Sequence, residues 1–484
     1  MVNGINPGPS PGTGFTPTPF FGLASPMWAR LQGKPFVTVS PVGIATGADT
    51  VVPNAGADFG PDTPGTDTLG LQEAMNSFAL TGGRIYLRQG IFAINSPVLW
   101  SSDQALFLAG ETSGNAQSPG DNTPIATTIM PGPSFPSSSY LLDFENVSTN
   151  DGAVTMCDLT LFGSQVIGSG ASQYASGFRS GASGAGGPAR QVYTNLAVKY
   201  CFNGCVLSNQ GGPTMMDKVH FSVCSNHGLY SSVTHLHAGL IECYQSDVTA
   251  GVSGTASIGE LFMDSPPSVA IALNNFVQID KVYLSAVNNG VCQVAFDLAG
   301  AGYVNVGNVV FDSLPSASSP LFIRLNASNA KTFASFNSVT GRLTGNFSGS
   351  IVGPVTGLTG MTGRLKLSNW NVDLNGYTIG TWFNVPSSLG FNLEAVYPYQ
   401  PQGFALTTPS IPTSGTAQVN TFPFPVRIYI TGAGTTTAYT ITAPAGNAET
   451  FSLALSLGQE ITLDPGASIT ISYTTAPTWK WYGV

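Results

Sequence analysis

Charge is the scarcest property of this chain: only 8% of its 484 residues are Asp, Glu, Lys or Arg, and 16 Lys and Arg face 25 Asp and Glu for a net charge of −9. Sixteen scattered cations supply no basic patch, which disfavours a phosphate backbone as a partner, and nucleic acid is not expected. No run of 18 or more apolar residues occurs, which argues against membrane insertion through a helix. The first residues, MVNGINPGPSPGTGFTPTPFFG, lack the charged and apolar regions of a secretory signal, so delivery within a virus particle, or removal of a signal upstream, is expected for a protein working outside a cell. The six cysteines (Cys157, Cys201, Cys205, Cys224, Cys243, Cys292) contain no CxxC pair; buried thiols are expected, with neither a zinc site nor a disulfide framework. GxSxG, HExxH and P-loop patterns are missing, and no GxGxxG is followed by a ribose-binding acid, which leaves covalent, zinc-protease and nucleotide chemistry unsupported.

What is abundant is glycine (58) and proline (34), the composition of strands and turns with few solvated helices. One short helix is expected. Leu71, Ala74, Met75 and Phe78 recur at i, i+3, i+4 and i+7, with Asp67 or Thr68 as N-cap and Gly82-Gly83 as terminator. Arg84-Ile-Tyr-Leu-Arg88 then alternates as a strand, Gly90 turns the chain, and Ile91–Ile94 and Leu106–Leu108 alternate again.

A helix rich in Gln and Ala followed by GGRIYL and GIFAI strands resembles the N-terminal cap of right-handed parallel β-helix proteins of the pectate-lyase-like superfamily. The resemblance implies an all-β solenoid that grows along one axis. A weak internal repeat agrees with it: a shift of 23 residues superposes NLAVKYCFNGCVL (195–207) on KVHFSVCSNHGLY (218–230). Leu159, Leu196, Val219 and Val282 should form an inward column, with Thr160, Ala197, His220 and Tyr283 facing out. Asn203, Asn226 and Asn289 recur where the chain bends and are expected to adopt the left-handed conformation and bond neighbouring turns. Register should be lost between 235 and 280 and again over 348–363, where loops leaving the solenoid would build a lateral site.

Three parts follow: a Pro/Gly/Thr-rich extended arm at 1–64, a β-helix at 65–400, and a C-terminal antiparallel β-sandwich-like module at 401–484. In the arm, Phe20, Phe21, Met27 and Trp28 are candidate anchors on a neighbouring chain. The last 70 or so residues, with PFPVRIYITG and LDPGASITISYTTAPTWKWYG, resemble the terminal modules of phage tail-fibre and tailspike-type proteins. That resemblance implies a homotrimer, trimeric rather than merely oligomeric, on a virion or extracellular surface. It further implies recognition of a host surface glycan or glycoprotein, and contact with other virion or filament proteins through the arm.

Chemistry is sparse. A glycosidase needs two carboxyl groups, and Glu242, Asp247, Glu260 and Asp264 are the candidates for a depolymerase, a plainer reading being solvated carboxylates. A lyase would add calcium and a base, but the carboxylates form no calcium motif; no cofactor is expected. All four histidines fall between His220 and His237, without the spacing of a zinc site. Tyr283, Trp370 and Trp382 are candidates for stacking on sugar rings. Asn-x-Ser/Thr sequons mark Asn146, Asn326 and Asn346 for glycosylation in a host that performs it. The third reading is structural: a sheath, surface-layer or filament subunit that polymerises through its arm.

Overall fold

The computed structural model describes residues 36–43, 45–46, 51–111, 127–144, 152–166, 171–181, 188–208, 212–287, 290–316, 319–328, 330–386, 388–397, 408–422 and 425–483. Phe20, Phe21, Met27, Trp28, Asn146 and Asn289 lie outside the described residues.

The body is a parallel β-helix. Each coil contributes strands to three sheets, and equivalent strands of successive coils pair in parallel. The first sheet runs from Phe36–Val39 through Gly83–Leu87 and Leu106–Gly110 to Leu389–Tyr397. The second begins with Gly90–Ile94 and Thr127–Pro131, and the third with Val98–Leu99, Tyr140–Phe144 and Ser176–Ser180. Long strands such as Pro213–Ser222 span two sheets and turn the corner between them at a left-handed residue, here Lys218 with φ 52°.

The inward column expected from the 23-residue shift is present and longer than the repeat suggested. Leu159, Leu196, Val219, Ile241, Leu261, Val282, Val309, Val339 and Trp370 stack in unbroken register. Each is at most 2% exposed. At roughly 25 cal/mol per Å² of apolar surface, stacking of this kind is what closes a coil that has no core of its own.

Between 235 and 280 the register shifts once, between Leu273 and Asn275, and the chain stays in the solenoid on both sides of it. The equivalent residues Pro213, His235, Thr255, Phe276, Tyr303, Phe333 and Arg364 pair rung to rung, so successive coils span 22, 20, 21, 27, 30 and 31 residues. A fixed shift fails because the turns change length while the strands stay in step. Over 348–363 the register also shifts, between Phe347 and Ser350, and residues 355–361 form a connection between the solenoid strands Phe347–Pro354 and Thr362–Asp373.

Left-handed corners fall elsewhere than expected. Tyr200, Val223, Gln245, Ser265 and Ala286 carry φ of 53°, 56°, 48°, 49° and 49°, each directly after a second-sheet strand, whereas Asn203 and Asn226 have no positive φ. Neither asparagine is needed to turn the chain. They do bond between turns, Asn226 Nδ2 donating to Asn203 Oδ1 at 2.8 Å.

The capping helix spans Leu71–Ser77, with Leu71, Ala74 and Met75 buried. Thr68 Oγ1 accepts the Gln72 amide at 3.0 Å, satisfying a donor of the first turn. Gln72 also fastens the helix to the solenoid, donating to Leu99 O and accepting from Leu99 N. Gly82 (φ 67°) ends the excursion, and Gly83 is obligatory because a Cβ there would sit 2.1 Å from the Phe78 ring.

Part of the stretch read as an arm belongs to this cap. Phe36–Val39 is the first rung, Asp58 Oδ2 accepts the Thr38 amide at 3.0 Å, and Phe59 is wholly buried. Proline and glycine hid a rung only four residues long. At the other end two antiparallel sheets, one with Val426–Gly432, Glu460–Leu463 and Thr478–Gly483, the other with Ala417–Val419, Thr435–Thr442, Ala448–Phe451 and Ser468–Thr475, enclose a second core around Trp481.

Candidate functional site

Because side chains alternate along a strand, every outward position becomes a row running along the solenoid. The most distinctive row lies on the first sheet. His235, Thr255, Phe276, Tyr303, Phe333 and Arg364 succeed one another there, and sequence reasoning missed all three aromatics. Phe276 and Tyr303 are 51% and 56% exposed. Their ring centroids are 5.4 Å apart at 17°, and Tyr303 and Phe333 are 5.0 Å apart at 12°. These are stacking distances, so Tyr303 lies between the other two rings. Lys331 Nζ lies 5.4 Å from the Phe333 centroid, a cation on the end of the ladder.

A polar row runs beside it. Gln278, Asn305, Ser335 and Lys366 occupy the next outward position of the same rungs. Asn305 Oδ1 accepts from Ser335 Oγ and Asn337 Nδ2, both at 2.7 Å, and Gln278 Nε2 donates to Asp280 Oδ1 at 2.9 Å. These bonds fix the amides in place. A legible signal existed: FVQIDKV (276–282), YVNVGNV (303–309) and FASFNSV (333–339) align without gaps, aromatic first and a corner before the final valine.

The residues singled out from sequence are scattered. Trp370 does not face solvent: it is 1% exposed, packed at 5.8 Å against Phe322 in the core. Its parity flips because Asn369 turns the corner at φ 51° immediately before it. Trp382 is half-buried against the core, its ring 6.0 Å from Phe383. Tyr283 faces outward on the second sheet, half-buried, with Phe262 at 6.2 Å and Lys281 Nζ 4.4 Å from its ring.

Glu242, Glu260 and Asp264 lie on adjacent rungs, and each of the four carboxylates meets a neighbour of its own. Asp247 sits in a turn, accepting the Gly228 amide and meeting His227 Nδ1, each at 3.0 Å. Glu260 pairs with Lys281 at 3.2 Å, and Asp264 accepts from Ser265 Oγ at 2.8 Å. Glu242 Oε2 is 3.4 Å from His220 Nδ1, near enough for an ion pair with a protonated ring but not aligned as a hydrogen bond. Burial, assisted by the Lys199 cation, lowers the His220 pKa to about 4, so that ring is neutral at physiological pH. Among the described residues no three His, Cys, Asp or Glu side chains group as metal ligands.

Two further acids serve the scaffold. Asp297 holds Arg324 through paired bonds at 2.9 and 2.6 Å and also accepts from the sequon residue Asn326 at 3.1 Å. Arg179 grips Asp143 similarly, with its guanidinium 4.8 Å from the Tyr140 ring. The sequon residue Asn346 is exposed, its Oδ1 accepting from Thr378 N and Oγ1.

No protein-family model and no curated protein matches the chain. Among solved structures it is similar to the tailspike protein 4 enzymatically active domain of bacteriophage CBA120, at 12% identity and a TM-score of 0.37, over 92% of this chain and 70% of that one. So loose a likeness adds nothing to what the strand pairing itself establishes.

Proposed function

We propose that the chain is a tailspike-type host-recognition protein that binds a surface glycan along the outward face of its first sheet. The observation that carries this reading is the outward ladder of exposed Phe276 and Tyr303 and half-buried Phe333, bordered on the same rungs by Gln278, Asn305 and Ser335. Sugars present apolar C–H groups beside hydroxyls, and a stripe of aromatic rings beside a row of amide and hydroxyl groups matches both without charge. Exposed aromatics in a contiguous stripe mark an interaction surface. The order of parts, capping helix, β-helix and C-terminal β-module, supports a tailspike over a free enzyme. Binding without cleavage is the reading taken because three of the candidate carboxylates are already engaged, Asp247 by Gly228 and His227, Glu260 by Lys281 and Asp264 by Ser265.

In this reading three chains associate side by side on the virion surface, the C-terminal modules lie at the tip, and the segment before Phe36 joins other virion proteins. The test is a host-polysaccharide array probed with the intact protein and with Tyr303→Ala, alongside native mass by light scattering. Tyr303→Ala should weaken binding about fivefold, in line with ~1 kcal/mol per aromatic contact. Unchanged binding removes the ladder from the site, and a monomer removes the trimer.

A further inference from the structure

We infer that the glycan carries a carboxylate, and that Arg364 receives it in a cavity where the aromatic ladder ends. This inference rests on the ladder being the glycan-binding face. Arg364 occupies the ladder's own row, one rung beyond Phe333. It is exposed and, among the described residues, makes no ion pair or hydrogen bond, whereas Arg179, Arg324, Arg342, Arg427, Lys281 and Lys366 each have a carboxylate partner. On the following rung its partner is Gly390, which places no side chain next in the row.

Arg364 lines a cavity of about 830 Å³ between the last rungs and the C-terminal module. That volume suits a ligand of a few sugar units. Phe383, Phe391 and Phe422 give it apolar walls and Asn384 and Asn392 give it amides, while Arg364 is the one ionisable side chain among its lining residues. An unpaired guanidinium on an apolar and amide wall, in a protein of net charge −9, selects an anion. Its planar fork fits a carboxylate through two parallel hydrogen bonds, the geometry a uronic or other acid sugar would use. Phe333 would hold the preceding sugar, so ladder and cavity act as consecutive subsites.

The test uses an array of uronate-containing polysaccharides, the same polysaccharides after carboxyl reduction, and neutral glycans, with intact protein, Arg364→Gln and Tyr303→Ala. Intact protein should prefer the acidic member of each pair by about tenfold to a hundredfold, as expected for a charge-assisted bond. Arg364→Gln should abolish that preference and leave carboxyl-reduced binding intact, with an unchanged melting temperature certifying its fold. Equal binding of both members by the intact protein, or a preference that survives Arg364→Gln, overturns the inference and leaves the glycan reading standing. Binding of no glycan at all overturns the glycan reading itself.

Discussion

Tyr303 and Phe333 lie ring on ring, 5.0 Å between centroids and 12° from parallel, although thirty residues separate them in the chain. Rung pairing alone makes them neighbours, and no local contact contributes. Their attraction is therefore measurable as a pairwise quantity. In a double-mutant cycle with Tyr303→Ala and Phe333→Ala, the coupling should be about 0.5–1.5 kcal/mol by denaturant unfolding. Additive effects would mean that the rings do not touch in solution.

Trp370 should behave as a core residue. Trp370→Ala should cost about 3–5 kcal/mol through the cavity it leaves. Trp370→Phe should cost much less, since the indole N–H is buried without an acceptor and its loss removes an unsatisfied donor. A sugar-binding Trp370 would instead show near-wild-type stability for both variants and weakened glycan binding.

Much of the architecture was legible because it is written in alternation. Leu196 over Val219 and Val198 over Phe221 repeat at a constant shift, and the pairing confirms both. The helix at Leu71 was equally clear. Trp370 was misplaced because a Trp in a polar stretch suggests a sugar platform, whereas the left-handed corner at Asn369 sets it in phase with Val372, inside. The ladder was invisible to a fixed period because the coils bearing Phe276, Tyr303 and Phe333 differ in length. The unpaired state of Arg364 could not be read at all, since it depends on which carboxylates other coils bring near.

His220 sets an acid-side dependence. Its folded pKa of about 4 lies below the ordinary 6.5, so between these values the unfolded chain binds a proton that the folded chain excludes. Stability is then fully present above pH 6.5 and falls as the pH drops towards 4. The loss should be on the order of 3 kcal/mol at 1.36 kcal/mol per pKa unit. His220→Asn should flatten the pH profile of urea unfolding in that window; an unaltered slope would assign the dependence to other groups.

All six cysteines are free and buried. Burial pushes the thiols of Cys157, Cys224 and Cys292 up to about 12, and those of Cys201, Cys205 and Cys243 also well up. A thiol-reactive disulfide reagent at pH 8 should find none in the folded protein and all six after denaturation. Rapid reaction of any one before unfolding would contradict its placement.

The coils that hold the core so uniformly treat their outer positions as unrelated choices. Directly after each core residue from Leu159 to Trp370 stand Thr160, Ala197, His220, Glu242, Phe262, Tyr283, Val310, Thr340 and Asn371, with no shared chemistry. The solenoid thus works as a ruler graduated at about 4.8 Å, the spacing of paired strands. Where such a mark is exposed and makes no contact with the next rung, it can be rewritten alone, so such a protein can follow a changing target by substituting surface residues one rung at a time while its interior stays as it is.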